Sequence, residues 1–305
     1  MKKFDVIILT DPRYADESKV DQYSQNVYLE DNLLKEALEK LGMNASRRSW
    51  DDPNFDWSST HFIIFRTTWD YFDRYQEFSA WLNEVSKVTT LLNSENLIRW
   101  NIDKHYMQDL QDNGVHICET YFVEPGETAS LKELVKRYDL NDFVLKPCIS
   151  GGARHTYKID IESLDEHEEI FSKLIQHEAM MLQPFQHNIV SKGEISLMVM
   201  NGIYTHAILK IAKEGDFRVQ DDYGGSIQDY MASAEEIAYA ENAVKSCIEM
   251  PIYARVDVFL DNQNKLALAE LELIEPELWF RNHPEAAMEL AKGIKNRIKQ
   301  YEEIS

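Results

Sequence analysis

Cysteine is scarce and unpaired in pattern. The 305-residue chain holds three, Cys118, Cys148 and Cys247. Their wide spacing, with no CxxC pair, argues against a disulfide framework and against a zinc site. Basic charge is also short: 32 Lys plus Arg stand against 53 Asp plus Glu, a formal net charge of −21. Such a surface repels nucleic acid and anionic membranes, whose binding depends on basic side chains releasing counterions. No nucleic-acid or membrane partner is expected, and any bound phosphate must be met by a few local cations or a metal. No apolar run approaches the ~20 residues that span a bilayer. The one at the N-terminus, "FDVIILT", stops at Thr10 and Asp11, too early for a signal peptide. There is no internal repeat, low-complexity tract or Pro/Ser-rich linker. What is present is 44% hydrophobic and 11% aromatic content. That is ample for a sizeable core and about two domains, with a cytoplasmic location expected.

Strands and helices alternate over the first 90 residues or so. "FDVIILT" and "HFIIF" (His61–Phe65) read as buried strands. Between them Leu29, Leu33, Leu34, Ala37, Leu38 and Leu41 recur at helical spacing, with Gly42 suited to the position after the helix. A second helix is predicted over "YQEFSAWLNEV". This pattern calls for a parallel, doubly wound α/β sheet. Ser94 is placed to cap one helix running through "ENLIRWNIDKHYMQDLQDNG" to Gly114. A second α/β unit follows: helix Leu131–Tyr138, strand "DFVLKP", a glycine-containing loop, helix Leu164–Gln176 and strand "MMLQPF". From Glu194 the strands lengthen: "EISLMVM", "IYTHAILKIA", "YARVDVFL" and "KLALAELEL". A helix over Ala234–Glu249 precedes the last two, and another closes the chain.

The last two strands carry charge where burial is expected. Side chains alternate faces along a strand, so Tyr253, Arg255, Asp257 and Phe259 share one face. Leu268, Glu270 and Glu272 lie together on the next strand. If the "NQNK" turn centres between Gln263 and Asn264, Asp257 lies across from Glu270. Three carboxylates then converge beside Arg255. Like charges facing each other destabilise a hairpin, and unpaired buried carboxylates cost several kcal/mol or take up protons. A solvated face of alternating charge is one reading. The other is a site for a hard divalent cation such as Mg²⁺, which takes a few carboxylates and completes its shell with water and substrate phosphates.

An Asp, a hairpin and then Glu-x-Glu on the next strand resembles the metal site of ATP-grasp ligases. Other parts of that superfamily follow in the same order. Lys146 in "FVLKP" matches the lysine on the α- and β-phosphates of ATP, and Lys104 in "WNIDK" an earlier phosphate- or adenine-side lysine. Ser150, Gly151 and Gly152 in "CISGGARHTYKI" match the small glycine-rich lid loop, whose backbone amides approach phosphate. Gln183, Pro184 and Phe185 match the hinge that receives adenine, and Glu194 the acid on the ribose hydroxyls. "EGDFRVQDDYGGS" resembles the large loop of glutathione synthetases, with Arg218 at the transferred phosphate. Together with "RTTWDY", "YARVD" and "ELELIEPELW", these motifs look like a glutathione-synthetase-like branch. That branch includes the cyclo-ligase that closes the ring of D-cycloserine.

The resemblance covers roughly residues 96–285. It implies an α/β (α+β) ATP-grasp fold with an N-terminal Rossmann-like pre-ATP-grasp domain (1–95), a lid subdomain (96–185) and a C-terminal subdomain with the metal site (186–305). It implies ATP and Mg²⁺, with Mn²⁺ as an alternative ion, on Asp257, Glu270 and Glu272. Two departures stand out: Glu272 occupies a position that is often Asn, and Ser196 one where glutathione synthetases carry Arg. The implied reaction joins a carboxylate to an amine through an acyl-phosphate, releasing ADP and phosphate. The expected partner is a small amino-acid-like molecule, and intramolecular cyclisation is one form of the reaction. Relatives are often dimers or tetramers, which leaves room for a homo-oligomer.

Substrate contacts are expected where "FRTTWDY" leaves its strand, because ligands of open α/β sheets sit at the strands' carboxyl ends. Arg66 is placed to grip a substrate carboxylate, Trp69 and Tyr71 to shape the pocket, and Asp70 to meet an amino group. A surface Arg–Asp pair with a core Trp is the competing reading. Arg255 is a second candidate for the substrate carboxylate and a catalytic candidate with Arg218. Lys210 and Lys213 flank the large loop, where contact with a nucleotide or substrate competes with the favoured reading of a bland charged residue. His155, His206 and Cys148 read as structural. Rival functions are addition of amino acids to a peptide or protein terminus, a kinase on the same fold, and a nucleotide-binding module without turnover.

Overall fold

The computed structural model describes residues 2–19, 21–213 and 224–304. Three sheets organise them. The first is all parallel, with strands β1 (Phe4–Thr10), β2 (Ala45–Ser49), β3 (Thr60–Thr67) and β4 (Thr90–Leu92) in the order β2-β1-β3-β4. A parallel sheet is covered on both faces, and the alternation along β1 shows how. Ile7 and Leu9 join Ile63, Phe65 and Trp50 with Phe78 and Leu82 of α2 (Tyr75–Val85). Val6 and Ile8 join Phe62 and Ile64 with Leu34 and Leu38 of α1 (Gln22–Lys40). Helix α1 starts at a cap by Asp21, whose carboxylate accepts from Ser24 N at 2.9 Å, and such a cap is worth about 1 kcal/mol.

The helix expected from Ser94 to Gly114 is broken. Helix α3 (Glu95–Ile102) ends at Asp103, whose backbone is extended (φ −101°, ψ 120°), and α4 (Tyr106–Asp112) begins anew. The cause is tertiary. Lys104 N donates to Cys148 O at 3.0 Å, and its side chain is held elsewhere, as described below. Asn101 clamps the flank by donating to Leu271 O at 2.8 Å and accepting from Leu273 N at 2.9 Å.

The second sheet is antiparallel, in the order β5-β8-β6-β7, from β5 (Tyr121–Val123), β6 (Asp142–Pro147), β7 (Tyr157–Asp160) and β8 (Met180–Pro184). One face packs against α5 (Leu131–Arg137) and α6 (Leu164–Leu174), and the short helix α7 (His187–Lys192) follows β8. The third sheet, also antiparallel, runs β11-β10-β9-β12-β13. Its strands are β9 (Glu194–Met200), β10 (Ile203–Ile211), β11 (Ser226–Tyr230), β12 (Tyr253–Leu260) and β13 (Leu266–Glu272). Its two faces differ. Leu197, Val199, Val256, Val258 and Leu271 are buried with Ala240, Ala243 and Val244 of α8 (Ala234–Lys245). The interleaved Glu194, Ser196, Arg255, Asp257, Glu270 and Glu272 belong to the opposite face. The closing helix α9 (Glu285–Ile304) does not stay with this sheet: its Leu290 and Ile294 share the core of β1, β3 and α1. Both are fully buried, each worth about 1.5–3 kcal/mol, so the chain's end is tied to its beginning.

Candidate active site

The charged face of the third sheet, the end of the second and the strand ends of the first enclose one cavity of about 540 Å³. Asp257 pairs with Glu270, and Arg255 with Glu272, across the β12–β13 hairpin. The expected Asp–Glu pairing is present, but an irregularity after Asp257 produces it: pairs nearer the turn, such as Leu260 with Leu266, run one residue out of that register.

Each carboxylate of the row meets a cation. Arg255 Nη2 and Nε donate to Asp257 Oδ2 at 2.8 and 3.1 Å, and Nη2 also reaches Glu272. Lys210 Nζ lies 2.5 Å from Glu194 Oε1 and 3.2 Å from Asp257 Oδ2. Lys104 Nζ lies 2.9 Å from Glu270 Oε1 and donates to Ser150 O at 2.7 Å. Ser196 Oγ donates to Asp257 Oδ1 at 2.6 Å. Ser196, noted above as a departure from the glutathione-synthetase pattern, therefore supports Asp257, and Lys210 supplies a neighbouring charge. Lys210 comes opposite Glu194 because β10 has a register shift between Tyr204 and His206.

These contacts set the titration of the site. Burial alone would raise Asp257, but Arg255 and Lys210 outweigh it and hold the carboxyl at about 2. Burial also opposes ionisation of Glu270, yet Lys104 and Lys146 keep it below its ordinary value. Glu272 is pushed up to about 7 by burial, against Arg255 and with Glu270 and Asp257 adding repulsion. Glu275 rises to about 8 through burial and its neighbours Glu272 and Glu270. Lys146 lines the cavity with no ion pair among the described residues, and burial lowers its ammonium.

The donor set suits a metal–polyphosphate ligand. Among the described lining residues, Arg13, Lys104, Lys146, Lys210 and Arg255 are outnumbered by Glu194, Asp257, Glu270, Glu272, Glu275 and Glu277. Cations that can meet phosphate oxygens thus stand beside carboxylates that can hold divalent ions, so a polyphosphate carrying such ions matches both sets. The oxygen-rich row Asp257, Glu270 and Glu272 is the chemistry a hard cation takes.

The remaining expected residues divide between the cavity and its frame. Ser150, Gly151, Gly152, Gln183, Pro184, Phe185 and Glu194 line it, as do Trp69 and Tyr71. A Cβ on Gly151 would fall 2.5 Å from the Phe72 ring, so close packing against the first sheet's loop requires glycine there. Gln183 turns its amide aside to Thr120 Oγ1, at 2.8 Å. Val144, Ile189, Phe259 and Leu271 supply an apolar wall nearby.

Two of the expected substrate contacts lie elsewhere. Asp70 is absent from the lining; it accepts from Trp50 Nε1 at 2.7 Å and from Arg74 at 2.9 Å. Arg66 is only 1% exposed and lies behind the cavity wall, its Nη1 donating to Pro276 O at 3.0 Å. Arg255 is saturated by carboxylates, which leaves it little capacity to grip one from a substrate. Arg218 lies outside the described residues. Sequence reasoning passed over Arg13, Tyr14, Tyr23, Glu275 and Glu277, all of which line the cavity. The run "ELELIEPELW" held a signal for the last two, since acids persist there beyond the end of the strand.

Comparison with known proteins points the same way. Residues 6–93 match the family described as "D-cycloserine synthetase DcsG, N-terminal domain". The chain is 30% identical over 283 residues to the cycloserine biosynthesis protein DcsG of Streptomyces lavendulae, covering 87% of this chain and 93% of that protein. The crystal structure of D-cycloserine synthetase DcsG superposes with a TM-score of 0.83 at 26% identity, covering 96% of this chain and 99% of that one. The ATP-grasp ligase PsnB, solved with a phosphomimetic variant of its minimal precursor, Mg and ADP, shares the fold. Its TM-score is 0.63 at 16% identity, with 97% and 99% covered.

Proposed function

Because the chain belongs to the family of D-cycloserine synthetase DcsG, within the ATP-grasp ligases, we propose that it joins a carboxylate to an amine on a small amino-acid-like substrate. The two groups are carried by one molecule, which is cyclised, or by two. That the protein is an ATP-dependent ligase follows from the family; the bond formed and the substrate are this proposal.

A substrate carboxylate oxygen attacks the γ-phosphorus of ATP, and the bond to the bridging oxygen breaks as ADP leaves. The amine then attacks the acyl carbon, loses a proton, and expels phosphate. Such chemistry asks for positioning and charge neutralisation more than for covalent help from the protein. Lys104 and Lys146 are the proposed phosphate contacts, and Asp257, Glu270 and Glu272 the proposed holders of Mg²⁺. When bound, that ion would neutralise phosphate charge against the carboxylate row. Gln183, Pro184 and Phe185 are the proposed adenine edge, Glu194 the ribose contact, Ser150, Gly151 and Gly152 the phosphate-facing loop, and Arg218 the residue at the transferred group.

The observation that supports this reading is the meeting in one cavity of two lysines from separate elements with the carboxylate row Asp257, Glu270 and Glu272. The test is release of ADP and phosphate from Mg-ATP against an array of amino acids and amines, singly and paired, with Glu270→Gln as the blank. The proposal expects both products with particular pairs or with one doubly functional compound. ADP without phosphate would indicate a kinase. No ADP above the blank with any compound would refute ligase turnover on this class of substrate.

A further inference from the structure

Four consecutive carbonyls after β13 are each engaged by a side chain from elsewhere. Tyr253 Oη lies 2.6 Å from Ile274 O. Trp69 Nε1 donates to Glu275 O at 2.8 Å. Arg66 Nη1 donates to Pro276 O at 3.0 Å, and Arg255 Nη1 reaches Glu277 O at 3.5 Å. Arg66 is used unusually. It is 1% exposed, forms no ion pair among the described residues, has an unpartnered Nε and lies over the rings of Tyr253 and Phe280. A buried guanidinium without a carboxylate partner carries a desolvation cost. Here its one side-chain hydrogen bond among the described residues fixes main chain.

What this anchoring presents to the cavity is Glu275. Among the described residues no cation forms an ion pair with it, whereas Glu277 is paired with Arg281. The Tyr71 hydroxyl hydrogen-bonds its side chain, and Glu272, Glu270 and Lys104 act on it through their charge. Three aromatic rings line the same cavity in mutual contact: Tyr14 lies 5.7 Å from Trp69, and Tyr23 lies 6.1 Å from Trp69. A carboxyl with no ion-paired cation among the described residues, near aromatic faces, suits an incoming ammonium group, whose charge favours its ionised form, and in that form it rejects anions.

We infer that Glu275 is the specificity-determining acceptor for a cationic amino group of the substrate, with Arg66 and Trp69 as positioning residues that hold its main chain. The inference rests on the ligase reading and names the part of the substrate that this end of the cavity selects. Arg66 thus serves recognition without touching the substrate.

Binding without turnover tests it. The full chain, saturated with Mg-ADP, is titrated with serinamide and with N-acetylserinamide, which lacks the ammonium. Wild type should favour serinamide by about tenfold or more, the range of a hydrogen bond to a charged group. Glu275→Gln should reduce that preference to within about twofold while Mg-ADP affinity holds. Arg66→Met should lower the preference and Arg66→Lys should restore part of it, a rescue that loss of fold would not show. Equal binding of both probes by wild type, binding of neither, or an unchanged preference in Glu275→Gln would overturn the inference. ADP release in the array is read separately. Equal binding of the two probes by wild type with ADP release intact refutes only this inference, and a wild-type preference that Glu275→Gln abolishes, with no ADP release, refutes only the ligase reading.

Discussion

Replacing Glu275 with glutamine should stabilise the resting protein at neutral pH even as it weakens substrate selection. Burial, Glu272 and Glu270 raise this carboxyl to about 8 from its ordinary 4.5, against the pull of Lys104. For a raised carboxyl the sign is fixed: its share of stability is complete below pH 4.5 and is lost as pH climbs toward 8. At about 1.4 kcal/mol per pH unit, the folded state gives up about 3 kcal/mol by pH 7 and under about 1 kcal/mol at pH 5. Glutamine carries no charge at either pH and removes that loss. For a chain of this length, 3 kcal/mol corresponds to a Tm rise of about 5 °C. The assay is thermal unfolding of wild type and Glu275→Gln, without nucleotide or Mg²⁺, at pH 5 and pH 7. An unchanged or lower Tm at pH 7, or the same offset at both pH values, would refute the reasoning. Stability withheld at a recognition site in this way is a common companion of function.

Lys210→Met strands Glu194, its partner at 2.5 Å, and removes one of the two cations on Asp257, at 3.2 Å. The expected loss is about 3 kcal/mol or more, read by denaturant unfolding, and an unchanged midpoint would contradict the bridging role. Gly151→Ala drives a methyl to 2.5 Å from Phe72. Melting should show a loss of about 1–3 kcal/mol, and adding Phe72→Leu should recover most of it; additive losses would place the strain elsewhere. Because Glu272 sits at about 7 and a carboxylate must lose its proton to hold metal, Mg²⁺ affinity measured by calorimetry should strengthen from pH 6 to pH 8. Glu272→Gln should flatten that rise, and an equally steep rise in the variant would remove Glu272 from the metal site. Asp257→Asn should keep the fold by circular dichroism yet abolish Mg-dependent ADP release, and full turnover would end its proposed metal role.

Local pattern carried much of this structure. Period-two alternation along "YARVDVFL" and "KLALAELEL" put Asp257 and Glu270 on one face, where they pair. The alternation of strands and helices near the N-terminus announced the parallel sheet. What local pattern could not carry was set by distant contacts. Nothing near Lys104 breaks a helix; the break is stabilised by Cys148 O and Ser150 O, more than forty residues on. Lys210 meets Glu194 only through an irregular register in β10, which turn position alone does not reveal. Arg66, Trp69 and Asp70 occupy the strand end expected to bind ligand. Trp69 lines the cavity, Arg66 reaches only main chain behind its wall, and Asp70 is engaged by Trp50 and Arg74. Residue type and position could not tell a ligand contact from a support for one.

The most direct measurement of the central claim follows an atom. With oxygen-18 placed in the carboxylate of an active substrate, one labelled oxygen should appear in the released phosphate, because that oxygen bridges carbon and phosphorus in the acyl-phosphate and leaves with phosphorus. Labelled phosphate in stoichiometry with ADP, absent with Glu270→Gln, is the expected result. ADP and phosphate released with the label wholly retained in the organic product would contradict carboxylate activation, and with it the proposed ligase chemistry.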